Sequence, residues 1–140
     1  MESPTVRKKI LVVDDSVLAL HLMRSVLEKL GYQVVTQATP FGTAGVVLSE
    51  KPDLVLLDVN MPALNGDELT RIIRQHSLTQ GTRVLLFSDM PEAELAKRAE
   101  NAGADGYLHK TIDPEKLVSQ LEKYLLKPSS CPMPTVKGGT

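Results

Sequence analysis

Cysteine is almost absent: Cys131 is the single one in 140 residues, which excludes an internal disulfide and makes a reducing, cytoplasmic setting the expectation. An excess of charge of one sign is also missing. Sixteen basic against seventeen acidic residues leave a formal charge of -1, without the positive face on which phosphate-backbone binders rely, so direct nucleic-acid binding is not expected. No N-terminal apolar stretch resembles a signal peptide and no apolar run reaches the length of a membrane span, so no membrane role is expected either. The first strand-like run is followed by no glycine-rich loop, which removes the usual dinucleotide-binding signature. Nothing repeats internally. At 140 residues the chain fits one domain, able to bury roughly two-thirds of the surface its unfolded form exposes.

What the chain does contain is a fivefold alternation of strand-like runs and helix-like periodic segments, the pattern of an α/β fold with a parallel sheet. Strands are expected near residues 9–14, 33–38, 53–58, 83–87 and 104–108. The first helix opens at Ser16 as N-cap, carries Leu20, Met23, Val26, Leu27 and Leu30 on one stripe, and stops at Gly31. Helices are expected near 41–50, 66–76 and 91–102, with Asp89 as the N-cap of that fourth helix. Its apolar positions are few (Leu95, Ala96, Ala99, Ala102), as in a loosely packed element that shifts. The last helix is capped by Asp113, admits Pro114 in its first turn and presents Leu117, Val118, Leu121 and Leu125 before Pro128. The organisation expected is a leader over 1–8, a folded domain over 9–127 and a flexible Pro/Ser/Gly-rich tail over 128–140.

Three aspartates end two of the apolar runs. Asp14 and Asp15 close Ile10-Leu11-Val12-Val13, and Asp58 closes Leu54-Val55-Leu56-Leu57. Such runs are strands buried on both faces, so the carboxylates fall at the carboxyl ends of the strands, where open α/β sheets bind ligands. Like charges in so small a volume call for a cation or a proton. Ser88 and Lys110 follow the fourth and fifth strand runs. Hard carboxylate oxygens suit Mg²⁺, a carboxylate is a nucleophile toward phosphorus, and a hydroxyl with an ammonium can hold phosphoryl oxygens. His21, His76 and His109 sit on different elements without metal-ligand spacing.

With Asp14-Asp15, Asp58-Val59-Asn60-Met61-Pro62 and Gly66, Ser88, and Tyr107 three residues before Lys110, residues 9 to about 126 resemble a response-regulator receiver domain of two-component signalling, of the chemotaxis-regulator kind. The resemblance implies a flavodoxin-like, doubly wound five-stranded parallel sheet in the order 2-1-3-4-5 with five helices. It further implies that Asp58 accepts the phosphoryl group, and that Asp15, Asp58 and the backbone carbonyl of Asn60 ligate Mg²⁺ with Asp14 acting through water. Ser88 and Lys110 would contact the phosphoryl group and Tyr107 would be the switch aromatic. Asn60 and Met90 would flank the attacking water, where methionine cannot orient it. The implied partners are a histidine kinase or phosphotransfer protein and a downstream protein met by the face of helix 4, strand 5 and helix 5, with a phosphorylation-dependent dimer as a further outcome.

Two positions depart from the family. Thr111 follows Lys110 where proline and a cis peptide are usual; a cis bond before a non-proline residue costs about 2.5–4 kcal/mol, so the loop either keeps it or runs trans and sets the ammonium differently. Asp89 stands where a small residue is usual, and its carboxylate would oppose a phosphoryl group if it faced the site. No DNA-binding or enzymatic module is read in the chain, so the expected output is protein binding. The alternatives are an interaction module that does not use phosphorylation and a phosphohydrolase, which needs a second acid where Asn60 stands.

Overall fold

A computed structural model of the protein describes residues 8–62, 64–110 and 113–125. The leader before Lys8, the tail, Cys131, Thr111 and the Val118 side chain lie outside the described residues. The elements are β1 (Lys9–Val13), α1 (Val17–Lys29), β2 (Gln33–Gln37), α2 (Thr43–Glu50), β3 (Leu54–Asp58), α3 (Gly66–Gln75), β4 (Val84–Ser88), α4 (Glu92–Ala102), β5 (Gly106–His109) and α5 (Pro114–Leu125). The strands form one parallel sheet in the order β2-β1-β3-β4-β5, as expected for a doubly wound fold.

Contiguous apolar runs make sense in this sheet because alternate residues serve opposite faces. Ile10, Val12, Leu54, Leu56, Leu85, Phe87 and Leu108 meet Leu20, Met23 and Leu27 of α1 and Leu117, Leu121 and Leu125 of α5. Leu11, Val13, Val55, Leu57, Val84 and Leu86 meet Val47 of α2, Leu69 and Ile73 of α3, and Leu95 and Ala99 of α4. Each strand therefore contributes to two cores at once.

Local signals set the ends of the helices. Ser16 accepts a hydrogen bond from the Ala19 N–H, and α1 stops where Gly31 turns left-handed at φ 95°. Leu30, expected on the buried stripe, is exposed instead, because the helix has ended at Lys29 and the stripe closes with Leu27. Asn65 and Glu68 make a reciprocal capping box at the start of α3. Asp113 Oδ1 accepts from the Glu115 N–H at the start of α5.

Asp89 does not cap α4. The helix begins at Glu92 with Pro91, two residues after Asp89, in the N-cap position, and no side chain caps it. Ser88 has taken the local turn instead, its Oγ accepting from the Met90 N–H at 3.1 Å, which leaves the Asp89 side chain exposed. Nor is α4 loosely attached. Its Arg98 donates through Nε and Nη2 to the two carboxylate oxygens of Asp67 on α3, at 2.8 and 3.1 Å. In the sequence Lys97-Arg98-Glu100 has the mixed signs of a solvated helix face, whereas Arg98 cross-links two helices.

Candidate functional site

The register brings the site together before any side chain is considered. Val13 pairs with Leu57, so one step further along the strands Asp14 lies beside Asp58; Asp58 pairs with Phe87, and Phe87 with Leu108. These residues form one row across the carboxyl end of the sheet. Lys110, two residues beyond Leu108, returns to the same face.

Lys110 bridges the two buried acids. Its Nζ lies 3.2 Å from Asp14 Oδ2 and 3.2 Å from Asp58 Oδ1. Asp14 Oδ1 also accepts from the Ser16 N–H at 2.9 Å, and Asp58 Oδ1 from the Asn60 N–H at 3.2 Å. Asp15 is exposed, at the rim. One carboxylate oxygen from each of Asp14, Asp15 and Asp58 lies within 4.8 Å of the other two. Ser88 is fully buried, and the Asn60 amide reaches its Oγ at 3.5 Å.

The α3 start closes the floor. A Cβ on Gly66 would sit 2.8 Å from the Asp58 carbonyl oxygen and 3.2 Å from the Leu86 Cδ2, so only glycine lets α3 approach the end of β3 so closely.

The electrostatics follow from burial. Asp58 is held above the usual carboxylate range, first by desolvation and further by the charge of Asp14, which together outweigh Lys110 and the Asn60 N–H. Burial pulls the Lys110 ammonium down, yet the charges and hydrogen bonds of Asp58 and Asp14 carry it above its ordinary value. The amine is therefore charged while the site still carries an excess of carboxylate. A set of hard oxygen donors with unrelieved negative charge fits a divalent cation, and Mg²⁺ in particular, which takes few protein ligands and keeps its waters.

Tyr107 projects away from this row. Its hydroxyl donates to Glu92 Oε2 at 2.9 Å, on the first turn of α4. Met90 is half-buried against the core shared by α2, α3 and α4. Three participants were not read from the sequence: Phe87, Glu92 and the Asp67–Arg98 pair. Phe87 reads as a core residue of the fourth apolar run, and only the register of β3 with β4 sets it beside Asp58.

This fold and this arrangement of acids, hydroxyl and lysine define a signalling module rather than a classical enzyme. The chain belongs to the response regulator receiver domain family, which it matches over residues 10–122. It is 36% identical to the transcriptional regulatory protein YxdJ of Bacillus subtilis over 84% of its own length, but spans only 50% of that relative. Protein PilH of Pseudomonas aeruginosa is 34% identical, with 84% of this chain and 97% of PilH covered. Among solved structures, chemotaxis protein CheY4 of Vibrio cholerae superposes with a TM-score of 0.79 at 29% identity, covering 86% of this chain and all of that one (100%). The protein is thus a receiver of two-component signalling, a family that works between histidine kinases and downstream targets.

Proposed function

We propose that the protein accepts a phosphoryl group on Asp58 from a histidine kinase or phosphotransfer protein and signals by changed protein binding. The observation that carries this reading is the Lys110 ammonium, 3.2 Å from both Asp14 and Asp58 in a cluster of three carboxylates. Both polar contacts of Asp58 among the described residues fall on Oδ1, which supports Oδ2 as the attacking oxygen. As it bonds to phosphorus, the bond from phosphorus to the donor's nitrogen breaks and the electron pair leaves with the donor imidazole. Mg²⁺, held by Asp15, Asp58 and the Asn60 carbonyl with Asp14 behind them, would neutralise charge on the phosphoryl oxygens. Lys110 and Ser88 would hold those oxygens, and Tyr107 would leave Glu92 as the switch responds.

The donor's approach side is assigned to the start of α1. Val17, Leu18 and Leu22 are 61%, 69% and 59% exposed on α1, immediately after Asp14-Asp15, and large apolar side chains grouped at a surface support docking of the donor protein there. The output face is assigned to α4, β5 and α5, where Tyr107 and Glu92 lie, with dimerisation through that face as one form of output. Met90, being apolar, does not help Asn60 to orient water, which favours a slow loss of the phosphoryl group; the exposed Asp89 modulates the rim by its charge. The domain is assigned to residues 9–127 and to the cytoplasm, and among the described residues no helix is long and apolar enough to cross a membrane.

The test is intact mass after incubation with Mg²⁺ and acetyl phosphate. One phosphoryl adduct is expected on the wild type and none on Asp58→Ala. A folded, Mg²⁺-binding wild type that stays unmodified overturns the reading in favour of a receiver-like interaction module.

A further inference from the structure

Lys110 must cross from β5 to β3 to reach Asp58, and β4 lies between them. The residue that fills the gap in that row is Phe87, registered with Asp58 on one side and Leu108 on the other. The residue is only 7% exposed, and its ring centroid lies 5.4 Å from Lys110 Nζ. That distance is within the range at which an ammonium is attracted by an aromatic face, and the attraction grows where water is excluded. An ammonium has three hydrogens. Two serve Asp14 and Asp58, and the ring offers an electron-rich surface beside the third. An aliphatic side chain at this position would fill the core but leave the amine tied only through its two flexible salt bridges.

We propose that Phe87 is a positioning residue for Lys110: the ring is a floor that carries the lysine stem across β4 and holds the ammonium over the phosphoacceptor. The inference deepens the phosphorylation reading and rests on it for its kinetic consequence, though not for its geometry. Placement matters because a lysine has four rotatable bonds in its stem, and a charge held ready at the phosphoryl position stabilises the transition state without reorganising. The departure at Thr111 gives the ring more to do, since the residue after the lysine is not the proline usual in the family.

The test compares Phe87→Leu, which keeps apolar bulk and removes the ring, with Phe87→Tyr, which keeps the ring. Two readouts are taken on protein shown by melting to be folded at the assay temperature. The first is the chemical shift of the Lys110 ε-methylene protons, assigned by their loss in Lys110→Met. Ring current should displace them in the wild type and in Phe87→Tyr, and they should move toward the free-lysine position in Phe87→Leu. The second is the rate of adduct formation from acetyl phosphate at saturating Mg²⁺. Phe87→Leu should be about two- to thirty-fold slower, the rate equivalent of roughly 0.5–2 kcal/mol for a cation–π contact, and Phe87→Tyr should stay within about two-fold of wild type. If neither Phe87 variant folds, the wild-type ε-methylene shift alone decides: a free-lysine position overturns the proposal. It is also overturned if Phe87→Leu is labelled at the wild-type rate, or if both variants slow equally while the Lys110 resonances stay in place, since Phe87 then only packs. A wild type that shows the ring-current shift but takes no phosphoryl group instead overturns the phosphorylation reading and leaves the positioning contact standing.

Discussion

Helices α1 and α4 lie on opposite faces of one sheet and are held to it by different forces. α1 is attached by a stripe of large apolar side chains, Leu20, Met23 and Leu27, aided by Arg24 donating to the Val34 carbonyl at the sheet edge. α4 buries only Leu95 and two alanines, Ala99 and Ala102, and is tied at three points by directional bonds. Tyr107 holds its first turn through Glu92, Asp67 holds its middle through Arg98, and Arg74 of α3 donates at 2.8 Å to the Gly103 carbonyl at its end. Apolar contact is non-directional and survives small displacements, whereas a hydrogen bond weakens steeply with distance and angle. α4 is thus held by bonds that a small displacement would weaken, whereas the apolar stripe of α1 would tolerate one. A helix with few apolar anchors and several polar ones is suited to carry a signal.

The comparison breaks most severely at the α1 face. Leu27 is fully buried, and Leu27→Ala removes buried methyl groups and leaves a cavity between α1 and the sheet, for an expected loss of about 2–5 kcal/mol. Urea unfolding should show the midpoint falling at an unchanged slope. A loss below about 1 kcal/mol would mean that α1 is not held as described.

At α4 the corresponding cut is Arg98→Met. Asp67 is 7% exposed, so removing its partner strands a carboxylate, and the expected cost is about 1–2 kcal/mol. Combining it with Asp67→Leu removes both charges and should restore most of the loss. A double-mutant cycle by urea unfolding measures the coupling directly, and purely additive single effects would show that the pair is not a tether.

Asp58 offers a change of opposite sign. Its raised carboxyl means that the fold favours the neutral form, a contribution fully present below the unfolded value of about 3.9 and lost as pH rises through the folded value. At neutral pH without metal, where an unfolded aspartate is charged, Asp58 therefore opposes folding. Asp58→Asn should melt roughly a few degrees higher than wild type at pH 7, with the advantage shrinking as the pH is lowered into the acid range. Millimolar Mg²⁺ should raise the wild type toward the variant, following the logarithm of free metal over Kd. Equal melting of the two proteins at pH 7 without metal would mean that the carboxylates do not strain the fold.

The ease of reading differed along the same division. The strands and the aspartates at their ends were legible because burial on both faces leaves unbroken apolar runs, with the first polar residue marking the strand end. Caps that bond to their own chain within three residues, such as Ser16, were legible too. The start of α3 was read at residue 66, where it lies, and Asn65-Gly66-Asp67-Glu68 carries the capping-box spacing that accounts for it. What escaped depends on packing between distant segments. Asp67 and Arg98 are 31 residues apart and meet only because α3 and α4 are neighbours. Phe87 reads as core until the strand register sets it beside Asp58, and Asp89 reads as a cap until Ser88 is seen to make the turn.

The smallest expected effect concerns the tether at the start of α4. Tyr107 is raised above the ordinary phenol value first by its hydrogen bond to Glu92, then by burial and by the charge of Glu92. A raised phenol contributes stability that is present below the unfolded value of about 10 and lost as pH rises through the folded value. Glu92→Gln keeps the side chain's shape but removes the charge, so the stability change should be under about 1 kcal/mol, as for an exposed hydrogen bond. Titration should respond more clearly than stability. The phenol signal assigned to Tyr107, isolated by subtracting a Tyr107→Phe titration, should shift down toward its ordinary range in Glu92→Gln. An unmoved titration would show that Glu92 does not hold the tyrosine in solution. The resting position of Tyr107 would then be set by its half-buried packing against the core shared by α2, α3 and α4, and α4 would have two polar ties instead of three.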